Sequence, residues 1–361
     1  MVNKKNSLIT LFLIVILALT VSGCSISFKS GAGGGNDGGV YVTANQGNNW
    51  AQKVLIPTTS GQPGSFGNLN VSSLVMDPSD PGAIYFGSVD NGLLYTYNGA
   101  GDWFLAKGLG KATINAIAVD PSSKCIIYAS LENKVYKSTD CNRTWAQVYY
   151  DNDVNTRVNA IAVDHYNSVN VYIGTSRGEV IKSSDRGGSW KTVGRLENSV
   201  EKIIISPADS RLIFAATAKK GIFRSTDSGD NWAGLAEKLK DFKDSLNFKD
   251  LAVVVADKGL IFLATNYGIL KSADNGDNWE KIELITPEKK ATINSIAVSP
   301  KNSKEIYYVT NTTFYRSLDG GTNWSTKNLP TTRAGWKLLV NPENPNILYL
   351  GVRKIEENRG F

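Results

Sequence analysis

The amino-acid sequence predicts an all-β fold: a single seven-bladed β-propeller of four-stranded blades. The pattern Ser-x-Asp-x-Gly-x-x-Trp occurs intact four times, at residues 183–190, 225–232, 272–279 and 317–324. Weaker copies end at Trp50, Trp103 and Trp145, so seven tryptophans follow one another at steps of 42 to 53 residues. That step is about the length of one four-stranded blade. The chain is also rich in Gly and Tyr, and no long stretch has sustained helical periodicity.

Each residue of the repeated pattern suits a tight corner between two strands. Ser and Asp hydrogen-bond to nearby backbone groups, Gly adopts a left-handed conformation without steric cost, and Trp supplies a large apolar anchor. The copy at residues 138–145 has Asn142 in the Gly position, and Asn tolerates the left-handed region best after Gly. Because the same carboxylate recurs blade after blade, we assign the whole set a structural role. The set comprises Asp140, Asp185, Asp227, Asp274 and Asp319, with the anchors Trp145, Trp190, Trp232, Trp279 and Trp324.

The strands of one blade can be placed between residues 114 and 149. We predict the innermost strand at 114–120, the second at 125–130, the third at 135–138 and the outer fourth at 145–149. The last two predicted strands of the chain have no corner motif after them, and the first corner motif has no pair of strands before it. We therefore expect the N-terminal strands to complete the last blade, which closes the ring and removes exposed sheet edges.

The corner motif resembles the Asp-box, or BNR repeat, of sialidases, sortilin-type receptors, two-propeller xyloglucanases and photosystem II assembly factors. The resemblance covers nearly all of the chain after residue 38. It implies the propeller fold. It leaves the function open, because those proteins hydrolyse sugars, bind peptides or assist the assembly of membrane complexes on one scaffold.

The N-terminus has the features of an exported lipoprotein. Lys4 and Lys5 precede an apolar stretch, and the sequence Val21-Ser-Gly-Cys24 resembles a bacterial lipobox. The resemblance implies cleavage before Cys24 and lipidation of its sulfur, which anchors a protein to a membrane. An ordinary secretory signal with a chance cysteine is the alternative. We predict a signal peptide at 1–23, a Gly-rich tether at 24–39 and the propeller at 40–361, located in the cell envelope outside the cytoplasm.

Charge and composition argue against several functions. The net charge of +6 includes Lys4 and Lys5 and is spread along the chain without a dense basic stripe, so nucleic-acid binding is not expected. His165 is the single histidine and occupies a turn position where other repeats have Pro. We therefore predict no metal site and no cofactor. We also expect a monomer.

The face of the ring opposite the corners is the predicted binding surface. Aligning the inner strands places one residue per blade in a column at the mouth of the central channel: Ser72, Asn115, Asn159, Glu201, Lys249, Asn294 and Trp336. The next column contains Lys202, Asp250 and Lys337, whose charges either recognise a zwitterionic or anionic group or pair with one another. Trp336 either stacks on a sugar ring or an aromatic side chain, or packs on the neighbouring blade. The predicted partner is a protein or a polysaccharide.

A sialidase-type site is an alternative that the loop residues raise. Sialidases use three arginines, a tyrosine with a glutamate partner, an acidic proton donor and an early Arg-Ile-Pro motif. This chain has Arg157, Arg177, Arg333, Arg353 and Tyr267 in loops, but it has no Arg-Ile-Pro, and it has seven predicted blades where sialidases have six. A xyloglucanase-type cleft is also disfavoured, because it forms between two propellers and we predict one. We therefore expect no enzymatic activity.

The predicted function is a membrane-anchored binding or assembly scaffold that uses the face opposite the corners. A sialidase-type glycan hydrolase and an assembly factor for a membrane complex remain the alternatives. Convergence of three arginines with a tyrosine–carboxylate pair in one pocket is the observation that favours the hydrolase.

A disulfide is predicted between Cys125 and Cys141. If the hairpin turn centres on Asn133, the two cysteines lie directly opposite each other on neighbouring strands. Export places both thiols in an oxidising compartment. Separate thiols are the alternative if Cys141 points away from the hairpin.

One connection between blades has helical spacing. Leu235, Leu239, Phe242 and Leu246 recur among charged residues, which predicts a short amphipathic helix. Its apolar side either packs on the ring or docks a partner.

Overall fold

The computed structural model describes residues 36–290 and 292–355. Within these ranges the chain forms seven four-stranded antiparallel sheets and a small two-stranded sheet. The inner strand of each four-stranded sheet contacts the inner strands of its two neighbours, so the sheets form a ring. The predicted seven-bladed β-propeller is confirmed.

The four strands of each blade follow one another from the central channel outward. Blade 1 has Val71–Asp77, Asp80–Ser88, Leu93–Thr96 and Phe104–Leu105. Blade 2 has Ile114–Asp120, Ser123–Leu131, Lys134–Ser138 and Ala146–Tyr150. Blade 3 has Val158–Val163, Val171–Thr175, Glu179–Ser183 and Lys191–Arg195. Blade 4 has Val200–Ile205, Ile213–Thr217, Gly221–Ser225 and Ala233–Gly234.

Blade 5 has Phe248–Val253, Ile261–Thr265, Ile269–Ser272 and Glu280–Lys281. Blade 6 has Ser295–Ser299, Asn302–Val309, Thr313–Ser317 and Ser325–Asn328. Blade 7 has Ala334–Val340, Leu348–Arg353, Val40–Thr43 and Ala51–Gln52. The small sheet pairs Leu55–Ile56 with Gly64–Ser65.

Apolar packing between blades explains the burial pattern of the strands. The second strands Val171–Thr175, Ile213–Thr217 and Ile261–Thr265 are buried at every position, because a neighbouring sheet covers each of their faces. Their sequences are accordingly almost continuously apolar. The outer strand Ser325–Asn328 is exposed throughout and is polar. Each apolar cluster is shared between adjacent blades, as where Tyr128 packs with residues of blade 3 such as Ile173.

The N-terminal strands complete blade 7, as predicted. Val40–Thr43 pairs antiparallel with Leu348–Arg353, so that Val40 lies opposite Gly351 and Thr43 opposite Leu348. Ala51–Gln52 then adds the outer strand. The two ends of the described chain therefore share one sheet, and the ring is closed by backbone hydrogen bonds.

Arg333 fixes the stretch that precedes this closing strand. Its side chain is 4% exposed and donates to Asp37 Oδ1 (3.2 Å), to the Leu69 carbonyl (3.0 Å) and to Asn70 Oδ1 (2.9 Å). Burial raises the pKa of Asp37, but hydrogen bonds from Thr332 and its neighbours outweigh burial and lower that pKa to about 2. Asp37 is therefore ionised and bound to the ring.

The repeated corner motif has the hydrogen bonds expected of it. Ser183 Oγ donates to Asp185 Oδ1 (2.7 Å) and accepts from the Gly187 amide (2.7 Å). Asp185 also accepts from the Ser189 amide (2.8 Å) and the Ser189 hydroxyl (2.7 Å). Gly187 has φ of +93°, in the left-handed region that favours glycine. The backbone of Asn142 adopts the same left-handed region, with φ of +69°, as expected for Asn in the Gly position.

The hairpin that carries the cysteines has a different register from the one predicted. Leu131 lies opposite Lys134, and Ile127 lies opposite Ser138. This register differs by one residue from the predicted pairing, because the turn consists of two residues and is not centred on Asn133. Cys125 and Cys141 lie just beyond this regular ladder. The left-handed backbone at Cys141 turns its amide toward the Cys125 carbonyl (3.3 Å). The two cysteines are joined by a disulfide, with Cα atoms 3.9 Å apart.

The predicted amphipathic helix is only a single short 3-10 turn, Ala236–Leu239. Successive bonds between residues three apart continue the chain as turns up to residue 247, so no α-helical ladder forms. Leu235 and Leu239 are buried in the apolar cluster between blades 4 and 5, and Phe242 and Leu246 pack on it. The apolar side chains pack on the ring, which is the first of the two alternatives.

The corner carboxylates are expected to make the propeller sensitive to acid. Hydrogen bonds from Ser189 lower the pKa of Asp185 to about 2, and those from Asn231 lower the pKa of Asp227 to about 2. An unfolded Asp titrates at about 3.9. A lowered folded pKa stabilises the fold above the unfolded pKa, and this contribution is lost as pH falls through the folded pKa. We expect the Tm to fall steeply between about pH 4 and pH 2.

The chain itself supplies the control for this prediction. Asn45 and Asn98 occupy the carboxylate position in two corners and accept the equivalent amide hydrogen bonds from Asn49 (2.9 Å) and Asp102 (2.9 Å). A variant with Asp→Asn at residues 185 and 227 is therefore expected to fold and to lose less stability in acid than the wild type. Thermal unfolding followed by circular dichroism at pH 6, 4, 3 and 2 measures the difference. Identical pH profiles for the two proteins would contradict it.

Candidate functional site

A cavity of about 530 Å³ opens at the mouth of the central channel, on the face where the inner strands begin. We call this cavity the funnel. Its lining includes one residue from the start of each blade: Ser72, Asn115, Asn159, Glu201, Lys249, Asn294 and Trp336. The column expected from aligning the inner strands is therefore present, on the face opposite the corner motifs.

A break in strand pairing places six of these side chains in the funnel, and the seventh, Asn294, directly precedes the inner strand of blade 6. Val158 lies opposite Thr175 and Ala160 opposite Gly174, so Asn159 between them has no partner on the second strand. Glu201 and Lys249 occupy the same unpaired position in blades 4 and 5. Ser72, Asn115 and Trp336 occupy it in blades 1, 2 and 7. A β-bulge bends the strand and redirects the extra residue. Sequence alignment identified the column but not the bulges that create it.

A second cavity of about 270 Å³ lies below the funnel between the inner strands, and we call it the throat. Asp250 is 5% exposed there and accepts four hydrogen bonds. Lys202 Nζ (2.6 Å) and the Leu251 amide (2.9 Å) donate to Oδ1. The Ser295 hydroxyl (2.7 Å) and the Ile296 amide (3.0 Å) donate to Oδ2. This carboxylate is fully satisfied by the protein.

The throat keeps Asp250 ionised. Burial raises the pKa of Asp250, but the positive charges of Lys202 and Lys337 outweigh burial and hold it below its usual range. Lys202 also donates to the Leu251 carbonyl (2.8 Å), so its ammonium group is held on two sides. The predicted pairing of charges therefore occurs between Lys202 and Asp250.

Lys337 lines both the funnel and the throat, but it lacks such a partner. Among the described residues, its ammonium group makes no hydrogen bond and has no carboxylate within 4 Å. Burial lowers the pKa of Lys337, and the charge of Asp250 offsets this lowering only in part. The lining of the throat thus contains two ammonium groups, those of Lys202 and Lys337, and two carboxylates, those of Asp250 and Glu201.

Trp336 packs on the neighbouring blade and also lines the funnel. It is partly buried against the apolar cluster shared by blades 7 and 1, so it packs on the neighbouring blade. The Arg353 guanidinium lies 4.9 Å from its ring centroid and covers part of the ring. Trp336 nevertheless lines the funnel together with Arg353.

Two ligand candidates lie outside the funnel lining. Arg333 is buried at the ring closure, bound to Asp37. Tyr267 is 9% exposed and donates to Glu288 Oε1 (2.8 Å) beside a separate cavity of about 370 Å³. Arg177 is bound to Asp151 and Glu179 elsewhere in the ring, whereas Arg157 and Arg353 line the funnel. The arginines and the tyrosine–carboxylate pair of a sialidase therefore do not converge among the described residues.

The charged side chains that line the funnel are predominantly basic. They are Arg157, Lys202, Lys249, Lys337 and Arg353 against Glu201 and Asp250. The formal charge of this lining is +3, which favours ligands with negative charge. Amide side chains of the same column supply neutral donors and acceptors.

The described residues contain no cluster of His, Cys, Asp and Glu suited to holding a metal ion. Within the same ranges, no helix has the length and apolarity needed to cross a membrane. Cys24, the predicted signal peptide and most of the predicted tether lie outside the described residues.

The architecture defines the chain as a seven-bladed β-propeller, and comparisons with known proteins connect it to two groups. Two xyloglucanases, from a Paenibacillus species and from Hypocrea jecorina, are 27% identical over 150 and 146 residues, or 35% and 34% of this chain. The GH74 xyloglucanase structure from Xanthomonas campestris has a TM-score of 0.64 at 17% identity and covers 79% of this chain. A structure of YCF48 bound to a D1 peptide has a TM-score of 0.61 at 15% identity and covers 85%. No protein-family model matches the chain.

These comparisons correct the expectation that the chain is not an enzyme. Both curated relatives are xyloglucanases, so the matches point to a glycoside hydrolase. The matched segments cover 15% and 17% of those relatives, and the chain spans about half (51%) of the Xanthomonas structure. By contrast, it covers 96% of the YCF48 structure. The expectation rested on the missing sialidase motifs and on the prediction of one propeller, whereas a xyloglucanase-type cleft forms between two.

Replacing Trp336 by Ala is expected to destabilise the propeller. The ring is partly buried, so we expect a loss of about 1–3 kcal/mol, less than the roughly 3–5 kcal/mol of a fully buried Trp. Trp336→Phe is expected to retain most of the stability because it keeps an aromatic ring in the cluster. Urea unfolding measures both values. Tyr166, which is 87% exposed, is the matched control, and an effect of Trp336→Ala no larger than that of Tyr166→Ala would contradict the packing role.

Proposed function

We propose that the chain is a glycoside hydrolase that binds a polysaccharide across the funnel. The observation that carries the proposal is the column of seven residues, one from each blade, that converges on a single cavity. Asn115, Asn159 and Asn294 supply amide groups, which suit sugar hydroxyls. Trp336 supplies an aromatic surface beside them. The matches to two xyloglucanases support a polysaccharide as the ligand class.

The two carboxyl groups of the funnel differ in the chemistry they can perform. Hydrolysis of a glycosidic bond commonly uses two carboxyl groups, one of which donates a proton to the departing oxygen. Asp250 is held ionised by its four donors, so it supplies a fixed negative charge to a developing sugar cation. Glu201 is exposed, and the hydrogen bond it accepts within the described chain comes from the Ser199 hydroxyl (2.7 Å). Because Asp250 is held ionised, Glu201 is the carboxyl group of the funnel that is left to donate the proton, and we assign it this role.

Replacing Glu201 by Gln is expected to abolish hydrolysis while preserving binding. The amide keeps the size of the side chain but cannot donate a proton to the departing oxygen, so we expect kcat to fall by about 100-fold or more. Release of reducing ends from xyloglucan and other β-linked polysaccharides measures activity. Isothermal titration with the corresponding oligosaccharides measures affinity.

Glu197→Gln is the matched control, since Glu197 is exposed, lies four residues earlier in the chain and is not part of the funnel lining. It is expected to retain full activity. Release of reducing ends at an undiminished rate by Glu201→Gln would remove Glu201 from the mechanism. Failure of the wild type to cleave or bind any polysaccharide in the panel would overturn the proposed function.

Peptide binding is a second candidate function. The YCF48 structure, 96% of which is covered by this chain, has a bound D1 peptide. The funnel charge of +3 suits an acidic segment of a protein. Binding of an acidic peptide that Lys249→Glu abolishes, without any polysaccharide binding by the wild type, would favour this function over hydrolysis.

We further propose that the chain is anchored to a membrane through a lipidated Cys24. The basic residues, the apolar stretch and the small residues before Cys24 support this proposal. A protein held by several acyl chains stays at the bilayer surface without crossing it. This location places the funnel within the cell envelope.

Replacing Cys24 by Ala is expected to move the protein out of the membrane fraction or to leave it as an unprocessed precursor, because no thiol remains for the lipid. Membrane fractionation followed by mass spectrometry of the mature N-terminus measures the outcome. Replacing the neighbouring Ser25 by Ala is the control and is expected to leave the distribution unchanged. A correctly cleaved Cys24→Ala protein that still partitions with membranes would exclude the lipid anchor.

A further inference from the structure

Blade 1 has a row of three aromatic side chains at its outer edge. Tyr95 lies opposite Phe104 on the neighbouring strand, and Tyr97 follows Tyr95 two residues later. The ring centroids of Tyr95 and Tyr97 are 5.1 Å apart, and those of Tyr95 and Phe104 are 5.8 Å apart. Tyr97 is 43% exposed and Phe104 is 41% exposed. We call these three residues the aromatic row.

The repeat itself does not require aromatic residues at these positions. Five of the six other blades have a basic residue at the position of Tyr95: Lys137, Lys182, Arg224, Lys271 and Arg316. The position of Phe104, directly after the corner tryptophan, has small or charged residues elsewhere: Ala51, Ala146, Lys191, Ala233, Glu280 and Ser325. The position of Tyr97 has no other aromatic residue: Ala44, Thr139, Ser184, Thr226, Ala273 and Leu318. Among the seven described blades, blade 1 alone has the aromatic row.

A structural role accounts for only part of the row. In blade 2 the basic residue Lys137 donates from Nζ to the Arg186 carbonyl in the next corner (2.9 Å). In blade 1 the hydroxyl of Tyr97 makes the equivalent contact with the Cys141 carbonyl (3.4 Å). Phe104 takes no part in this bond, and it belongs to none of the apolar clusters of the described ring. Exposed apolar side chains that the fold does not use are typical of binding surfaces.

The corner of blade 2 holds the row in place. Asn142 Nδ2 donates to the Tyr97 hydroxyl (2.9 Å). The disulfide between Cys125 and Cys141 ties the same corner to the second strand of blade 2. On its other side, Tyr95 packs against the apolar cluster between blades 1 and 2. A surface that is fixed before its ligand arrives loses less conformational entropy on binding.

The geometry of the row suits a sugar chain. Sugar rings present C–H groups that pack on the faces of aromatic rings. The Tyr95 hydroxyl makes no hydrogen bond within the described chain, so it is available to a sugar hydroxyl. Neighbouring rings of the row are tilted by 52° and 35°. Coplanar rings would match the flat surface of a crystalline polysaccharide, whereas tilted rings match a single chain that twists.

We propose that the aromatic row is a second binding site for a single polysaccharide chain, at the outer edge of blade 1. The row lies beside the corners, whereas the funnel opens on the opposite face, so a polymer held by the row does not occupy the funnel. This inference rests on the proposed function for its class of ligand. It adds a site that increases the affinity for polymers and takes no part in the cleavage of short oligosaccharides.

The test combines Tyr95→Lys and Phe104→Ala in one variant, because other blades have these residues at the same positions. Tyr97 is kept, so its bond to the corner persists. Affinity electrophoresis in gels that contain soluble xyloglucan measures polymer binding, and release of reducing ends from a short xyloglucan oligosaccharide measures cleavage. We expect the Kd for xyloglucan to rise about tenfold and the rate of cleavage to stay at the wild-type value.

Leu318→Ala is the matched control. Leu318 occupies the position of Tyr97 in blade 6 and is 49% exposed, so its replacement is expected to change neither binding nor cleavage. Circular dichroism checks that each variant is folded. Should the double variant not fold, Phe104→Ala alone is expected to raise the Kd about threefold, because Phe104 lies outside the apolar clusters.

The outcomes separate this inference from the proposed function. Xyloglucan binding that is absent in the wild type, or unchanged in the folded variants, would overturn the site, while cleavage of the oligosaccharide would still support the hydrolase. Xyloglucan binding that depends on the row, without cleavage of any saccharide, would support the site and overturn the proposed function.

Two further outcomes concern the occupant of the row. Tighter retention on microcrystalline cellulose than on soluble xyloglucan would overturn the assignment to a single chain. Dimerisation of the wild type that Phe104→Ala abolishes, measured by sedimentation velocity, would assign the row to a second copy of this chain and overturn the inference.

Discussion

The pairing of Val40–Thr43 with Leu348–Arg353 is the interaction on which the rest of the structure depends. It joins two segments about 300 residues apart in the sequence, and the free energy needed to close such a loop grows only slowly with its length. Without this pairing, blade 7 would retain two strands with an open edge. The funnel has one lining residue per blade, so a gap anywhere in the ring would disrupt the cavity. Closing the ring therefore also forms the funnel.

The corner face and the funnel face of the ring differ in how their polar groups are bonded. On the corner face, each carboxylate satisfies the backbone of its own turn, as Asp185 does for Ser189. On the funnel face, bulges interrupt the inner strands, and the partly buried Lys337 makes no hydrogen bond to the described residues. Features that oppose stability thus concentrate where a ligand would bind, and the regular corners and apolar interfaces compensate for them. Such segregation lets the funnel change in sequence while the fold persists.

The sequence was informative where the repeat supplied several copies of one signal. Seven copies fixed the blade boundaries to within a few residues and aligned the column at the channel mouth. Features present once were less predictable. The Cys125 hairpin was displaced by one residue, because a single turn residue decides its register. Arg333 looked like a loop arginine, because its partner Asp37 lies at the opposite end of the chain. The absence of enzymatic activity was inferred wrongly, because one scaffold carries several chemistries.

The attachment of Asp37 has a consequence for the proposed lipid anchor. Arg333 and Thr332 hold Asp37 where the inner strand of blade 7 begins, which is the side of the ring that opens into the funnel. The stretch between Cys24 and Asp37 spans at most roughly 45 Å when fully extended. The lipid anchor proposed at Cys24 would therefore join the ring at its funnel edge, where Asp37 is bound.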